Sequence, residues 1–463
     1  MMNRGLSKVG LRLLDSLTDA APSVVPRLFH RAFFGFAGSR SYYEIQLRRY
    51  RTKLAAIKDY SKILVVPDLN IGDSLVLQPA IKQMQKLFPQ ASIHYLCNKT
   101  GGELLSAMPR VTVHAILKGN GGMPTDEDLA NVEALLQREH FTVTFTLCPF
   151  LPRRSLRAGG VVINIFIPFG FYVVRAWALG RITHVSEFLR EFLEMFFSPG
   201  PLAEPPAYRT RSRDDSHQPG RPNVLELPVI NSPLRNDEGN VVYLHDSSVR
   251  IASDFLTSFE LQNADGLVFL NPDATSKYGQ IPFEIQAELV ERIARMPEVT
   301  AVLIGAGYAS RGIEHSLIER LPEHLQKKMI IVPFMPIEAY AAVIDACDVF
   351  ISSDGGPLHL SATRKLTESG APMRNRTHII TVHGATDSRM FGYDSRFADH
   401  MPANQDAPSV VFSAKAPCRN ITCINKWGKS CKDVRCFDGL EAGDIAGYLQ
   451  TYLRQAVGER SLV

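Results

Sequence analysis

The sequence predicts an α/β protein made of two parallel-sheet domains in succession, and three observations carry that prediction. Short apolar, β-branched runs such as Lys62-Ile63-Leu64-Val65-Val66 and Leu267-Val268-Phe269-Leu270 have the length and composition of buried strands. Stretches with apolar residues at helical spacing lie between them, so strand and helix alternate in two blocks. Several strands end in turns of Gly, Asp, Asn and Ser, where open parallel sheets place their ligands. The 463 residues suit two domains, and 45% hydrophobic with 21% charged residues is an ordinary soluble composition.

Residues 1–60 form a basic helical N-terminal extension, with eleven Lys and Arg against four acidic residues. Leu11, Leu13, Leu14 and Leu17 follow helical spacing, which suits an arm lying on an anionic membrane surface, or one packed on its own domain or a partner subunit. The net charge of +4 is too small to argue for nucleic acid. No compact apolar run with a small-residue cleavage site opens the chain. Residues 161–180 are apolar but interrupted by Asn164, Pro168, Gly170 and Arg175, so a parallel strand and apolar helix explain them as well as a membrane span does. Cys97, Cys148 and Cys347 sit in apolar runs as core residues. The expected location is cytoplasmic, with peripheral contact at the inner face of the membrane.

The first domain spans 61–250. Its opening strand turns at Pro67-Asp68-Leu69-Asn70-Ile71-Gly72-Asp73 into a helix over 74–88, which Pro89 stops. Ser92-Ile93-His94-Tyr95-Leu96 is the next strand, completing a βαβ unit. The strand at 111–114, the helix near 126–138, the strand over 141–147 and the amphipathic helix of 184–197 follow. Six prolines between 199 and 222 mark a surface excursion. The second domain, 251–463, repeats the pattern: strands near 267–270, 299–304, 329–332, 349–352 and 378–382, helices over 283–295, 310–320 and 337–346, and a closing helix at 441–457. Arg364 to Arg376 read as a polar, turn-rich link.

Three turns bring chemistry to strand ends. Gly72-Asp73 supplies a carboxylate, Asn271-Pro272-Asp273-Ala274-Thr275-Ser276-Lys277 hydroxyls and an ammonium, and Ser353-Asp354-Gly355-Gly356-Pro357-Leu358-His359 a helix start with Pro in its first turn. Glycines 355 and 356 leave room for close backbone approach, and His359 adds a donor one turn in. An ordinary strand–turn–helix corner and an N-cap role for Asp73 are the bland readings of the same residues. A carboxylate facing two anion sites across a cleft suits group transfer from a phosphorylated donor.

These residues also resemble glycosyltransferase family 9, the lipopolysaccharide heptosyltransferases of GT-B fold. The similar pieces are Ile63-Leu64-Val65-Val66 through Ile71-Gly72-Asp73 with Pro79-Ala80-Ile81, Leu270-Asn271-Pro272 with Lys277, Val302-Leu303-Ile304-Gly305, Ser353 through Ala362, and His383-Gly384-Ala385-Thr386-Asp387. They recur in the family's order over about residues 62–445. The resemblance implies two Rossmann-like domains facing a cleft, the first binding acceptor and the second nucleotide sugar. It implies inverting transfer of a heptose-like sugar, from ADP-heptose in the family's usual case, to a hydroxyl of a lipopolysaccharide-type or other cell-surface glycan. Asp73 matches the proposed general base, with Gly72 its turn residue. Lys277 matches the diphosphate-binding lysine, with Thr275 and Ser276 beside it. Asp354, Gly355, Gly356 and His359 fall on the family's Asp-(Ser/Thr)-Gly-x-x-His element, Gly355 replacing the hydroxyl residue. The polar link 364–376 and Ser388 both differ from the family and are expected near the donor pocket.

No cofactor or catalytic metal is expected, since helix dipole and lysine supply the positive charge. Cys418, Cys423, Cys431 and Cys436 would hold a structural zinc or iron, or remain thiols, or pair in a disulfide. His94, His114, His140, His184 and His245 are expected to be isolated structural residues. The alternative readings are another GT-B enzyme, either a UDP- or GDP-sugar transferase or an epimerase, and a catalytically weak nucleotide-sugar-binding subunit. A dinucleotide oxidoreductase fits poorly, because after Gly305-Ala306-Gly307 the next glycine is Gly312.

Overall fold

The computed structural model describes residues 40–67, 71–106, 108–118, 125–147, 156, 160–165, 169–170, 172–173, 175–176, 184–197, 240–274, 279–306, 312–395, 408–414 and 435–460. Most of the basic arm, the proline-rich excursion, Cys148, Cys418, Cys423 and Cys431 lie outside them.

In the first domain the order is α1 (Arg40–Ala55), β1 (Lys62–Val66), α2 (Ile71–Val76), α3 (Gln78–Leu87), β2 (Ser92–Asn98), α4 (Lys99–Leu105), β3 (Val111–Leu117), α5 (Asp126–Glu139), β4 (Val143–Thr146), β5 (Val161–Asn164) and α6 (Val185–Phe197). The five strands form a parallel sheet in the order β3-β2-β1-β4-β5. Alternation along β1 sorts its side chains: Ile63 and Val65 join the core under α3 and α6, and Leu64 and Val66 face α5 on the other side. The apolar run from 161 therefore opens as a strand paired with β4. Among the described residues no helix is long and apolar enough to cross a membrane.

The helix expected over 74–88 is two helices. It starts earlier, at Ile71, and breaks at Leu77, because Pro79 has no N–H to continue the ladder and sits in the first turn of α3. The described end of the basic extension packs on its own domain: Leu47 and Leu54 enter the core, and Arg51 donates to the Met195 carbonyl at 2.7 Å. His94 and His114 are not isolated. Their Nδ1 and Nε2 atoms lie 2.8 Å apart, on neighbouring strands β2 and β3.

The second domain comprises β6 (Val241–Leu244), α7 (Asp246–Ser258), β7 (Leu267–Asn271), α8 (Phe283–Ala294), β8 (Ala301–Gly305), α9 (Ile313–Glu319), α10 (Glu323–Gln326), β9 (Met329–Val332), α11 (Ile337–Ala346), β10 (Val349–Ser353), α12 (Gly356–Ala362), β11 (Arg364–Thr367), β12 (His378–His383), α13 (Ser388–Phe391), β13 (Ser409–Ser413) and α14 (Ala442–Arg460). Its parallel sheet runs β13-β12-β10-β7-β8-β9, the doubly wound order. A boundary at 250/251 falls inside α7, which packs beside β6 in the second domain's apolar core. His245, just ahead of α7, is also paired: its Nδ1 lies 2.8 Å from the buried Glu338 carboxylate, which raises its pKa.

The link 364–376 is more ordered than expected. Arg364–Thr367 pairs with β6, and the Asn375 side chain donates to the Lys365 carbonyl while accepting from its N–H. Arg374 binds Asp348, whose carboxylate accepts from the Gly266 and Leu267 N–H groups. That places Arg374 at the amino ends of β7 and β10, the opposite end of the sheet from the Asp354–His359 turn.

The two domains share apolar packing. Leu75 and Leu104 of the first are buried with Val242, Leu244, Ile337 and Leu360 of the second. Met390 of α13 enters the first domain's core in return. The buried Gln78 carboxamide clips the two together, accepting from Val241 N–H at 2.7 Å and donating to its carbonyl at 2.9 Å.

Burial lowers the pKa of both His94 and His378 to about 4. Each is held neutral in the fold while its unfolded counterpart, with the ordinary value of 6.5, takes a proton. This contribution to stability is complete above pH 6.5 and is lost as pH falls toward 4. We expect the urea midpoint to decline between pH 6.5 and about 5, before most carboxylates titrate, and His378→Phe to flatten that decline. A midpoint constant over that interval contradicts the assignment.

Candidate active site

In each sheet the chain reverses its direction of winding once. β1 is followed outward by β2 and β3, and β4 then pairs on its other side; β7 stands in the same relation to β8, β9 and β10. The crevices at the carboxyl ends of β1/β4 and β7/β10 are therefore the two switch points, the natural ligand sites of such sheets. The three turns singled out from the sequence follow β1, β7 and β10, so all three occupy switch points.

The structure brings two of those turns together. A Cβ added at Gly72 would stand 2.8 Å from His359 Cδ2 and 3.6 Å from its Nε2, with Gly356 Cα at 3.5 Å. The first turn of α2 thus abuts the first turn of α12 across the domain boundary, and only a residue without a side chain allows this approach. Asp73 is the next residue. Because α2 begins at Ile71, Asp73 lies within the helix's first turn instead of preceding the helix, so the N-cap reading does not hold.

The third turn is held by its neighbours. Asn271, 3% exposed at the end of β7, donates to the Asp273 carbonyl at 2.9 Å and to Ser352 Oγ at 3.3 Å, and accepts from the Tyr340 hydroxyl at 3.1 Å. Gln286 donates to the Pro272 and Ile281 carbonyls, fixing both stems of the loop. The Tyr340 hydroxyl also covers Gly305, where a Cβ would collide with it. The ends of β7 and β10 are thereby joined by one buried polar network, with Tyr340 packed on the end of β8. Thr275, Ser276 and Lys277, at the tip of the loop, lie outside the described residues.

At the second corner Gly355 is extended, with φ −179°, and Gly356 and Pro357 open α12. His359 is 5% exposed; its Nδ1 lies 2.9 Å from Tyr393 Oη and its Nε2 3.8 Å from Asp354 Oδ1. Burial lowers the histidine's pKa, with Asp354 opposing, and raises that of the Tyr393 phenol. The pair is therefore neutral near pH 7. Tyr393 also stacks obliquely on His184 of the first domain, with ring centroids 5.0 Å apart. Tyr393, His184 and Tyr340 carry no sequence signal of a site, because the partners that give them their place lie far away in the chain. Ser388 starts α13 and accepts from Ser413 Oγ at 2.9 Å, a packing role. Cys436, the one described member of the C-terminal cysteines, is buried in the second core. Among the described residues no group of three or more His, Cys, Asp or Glu is placed to hold a metal ion.

Gly72→Ala should destabilise the protein by about 1–3 kcal/mol, since its methyl group drives His359 off its buried seat. Denaturant unfolding measures this, and an unchanged midpoint contradicts the packing. At Gly355 the nearest atom to an added Cβ is Pro357 Cδ at 3.8 Å, and the backbone is one any residue adopts. Gly355→Ser should therefore fold normally and be about 0.4–1 kcal/mol more stable, by the lower entropy of its unfolded chain. A drop in its melting temperature contradicts this.

Comparison with known proteins agrees with the fold. Residues 245–426 match the model of glycosyltransferase family 9 (heptosyltransferase). A family 9 glycosyl transferase from Veillonella parvula DSM 2008 superposes with a TM-score of 0.55 at 14% identity, covering 86% of this chain and 98% of its own. The ADP-heptose LPS heptosyltransferase II of E. coli gives a TM-score of 0.52 at 15% identity, covering 85% of this chain and 99% of its own. Among curated proteins none matches in sequence. The chain thus shares the two-domain fold of these solved structures, and residues 245–426 are similar to glycosyltransferase family 9.

Proposed function

We propose that this enzyme moves a heptose-like sugar, with inversion, from a nucleotide diphosphate donor to a hydroxyl of a lipopolysaccharide-type or related cell-surface glycan acceptor, and that the donor is ADP-heptose. The observation that carries the reading is the meeting of Gly72-Asp73 with Gly356 and His359 where the two switch points converge. The second domain's match to the heptosyltransferase family model, and the ADP-heptose named for the E. coli structural neighbour, support the choice of sugar.

In this reading Asp73 takes the proton of the acceptor hydroxyl as its oxygen attacks the anomeric carbon. The bond from that carbon to the diphosphate oxygen breaks on the opposite face, which inverts the centre. Negative charge grows on the departing diphosphate. Lys277, the hydroxyls of Thr275 and Ser276, the Gly356 N–H and the His359 imidazole offset it. Gly355, in the extended stretch before α12, leaves the diphosphate access to the backbone. Asp354 stands in the same turn, 3.8 Å from His359 Nε2. The basic extension of residues 1–60 holds the enzyme at the inner face of the cytoplasmic membrane, where a lipid-linked acceptor is presented.

The test is product analysis by mass spectrometry with ADP-, UDP- and GDP-sugars and a lipid-linked glycan acceptor. A new glycoside formed from ADP-heptose, with opposite anomeric configuration, is the expected result. Isomerised free sugar, or tight nucleotide binding without turnover, contradicts it. Asp73→Asn should lower kcat by about 10²–10⁴-fold, the usual share of a general base, with donor Kd nearly unchanged. Near-normal turnover in a folded Asp73→Asn protein removes the base assignment.

A further inference from the structure

We propose that Tyr393 is a positioning residue whose hydroxyl holds His359 in the tautomer with its proton on Nε2, aiming that N–H at the gap between Asp354 and Gly72. The inference rests on the transferase reading for its consequence, though not for its geometry.

Tyr393 is 1% exposed, and its Oη lies 2.9 Å from His359 Nδ1. Two arrangements of the protons fit that distance. If Nδ1–H donated to the phenol oxygen, the phenol's own proton would need a second acceptor, and His359 Nδ1 is its one hydrogen-bond partner among the described residues. A buried hydroxyl left without an acceptor is costly. That arrangement would also turn the bare Nε2 lone pair toward the Asp354 carboxylate, 3.8 Å away. The opposite arrangement satisfies every group: the phenol donates to Nδ1, and the neutral ring carries its proton on Nε2. Nε2–H then points to the side where Gly72 approaches, 3.6 Å from the position of a Cβ there. At 3.8 Å, Asp354 is too distant to take that proton in a full hydrogen bond, so it remains available to an oxygen of the leaving diphosphate.

The seat of Tyr393 is built by both domains. His184 of the first packs on its ring, and α13, two residues before it, places Met390 in the first domain's core. The donor-side histidine is thus oriented by a side chain whose packing depends on the domain interface.

The experiment is long-range ¹H–¹⁵N correlation of the histidine rings in the full chain, with His359→Gln identifying the signal. The wild type should show His359 as the Nε2–H tautomer, and Tyr393→Phe, which keeps the ring packing, should move it toward Nδ1–H. The same variant should lose about three- to tenfold in kcat/KM for the nucleotide sugar, the worth of one neutral hydrogen bond. In the His359→Gln background Tyr393→Phe should cost nothing further, whereas a merely structural tyrosine would cost the same in both. An Nδ1–H tautomer in the wild type, an unchanged tautomer in Tyr393→Phe, or additive losses would overturn the proposal. Should Tyr393→Phe fail to fold, the wild-type tautomer decides alone. The tautomer is read without substrate, so it stands or falls separately from the transferase reading.

Discussion

The approach of Gly72 to His359 is the constraint on which the rest of the structure depends. It is a backbone-to-ring contact between two short helices from different domains, and it weakens with any side chain at position 72. Such a contact contributes little by itself. It persists because the apolar residues around it hold the domains in register: Leu75 lies one turn from Gly72, and Leu360 follows His359 directly, both in the same buried cluster. Fully burying each such leucine contributes about 1.5–3 kcal/mol. The packing that fixes the domains thus also fixes the distance between the two switch points.

Behind that contact the second domain separates polar tasks by depth. Asn271, Ser352 and Tyr340 form a closed network under the strand ends, where every proton is spoken for and the loops are held from below. Above it, Asp354 and His359 stand beside Gly72, the His359 ring held by the Tyr393 hydroxyl. Preorganisation of this kind lets donors meet developing charge without moving at the moment of reaction. Burial keeps His359 neutral, so what it offers is a directed N–H more than a charge.

The sheets were legible because their strands are buried on both faces and read as unbroken apolar runs; β7, β8, β10 and β12 all fall where such runs lie. The turns after β1, β7 and β10 were legible because glycine, proline and short polar residues mark them. Other features had no local signal. Pro79 split a helix whose apolar spacing continues through the break, and the true start of α2 moved Asp73 off its cap. The link 364–376 looked irregular because β11 finds its partner, β6, more than a hundred residues away in the chain. The hydrogen bond of Tyr393 to His359 spans 34 residues, and that of His94 to His114 spans 20, so neither leaves a periodic trace. Their meaning is tertiary, and only the fold shows it.

The central claim is that one gap between the domains holds the donor's diphosphate against α12 with the carboxylate of Asp73 opposite. A crystal structure with a nucleoside diphosphate bound tests it most directly. The account predicts phosphate oxygens within hydrogen-bonding distance of the Gly356 N–H and His359 Nε2, on the side faced by α2. Phosphates bound at any other place, with that corner left to solvent, would contradict it.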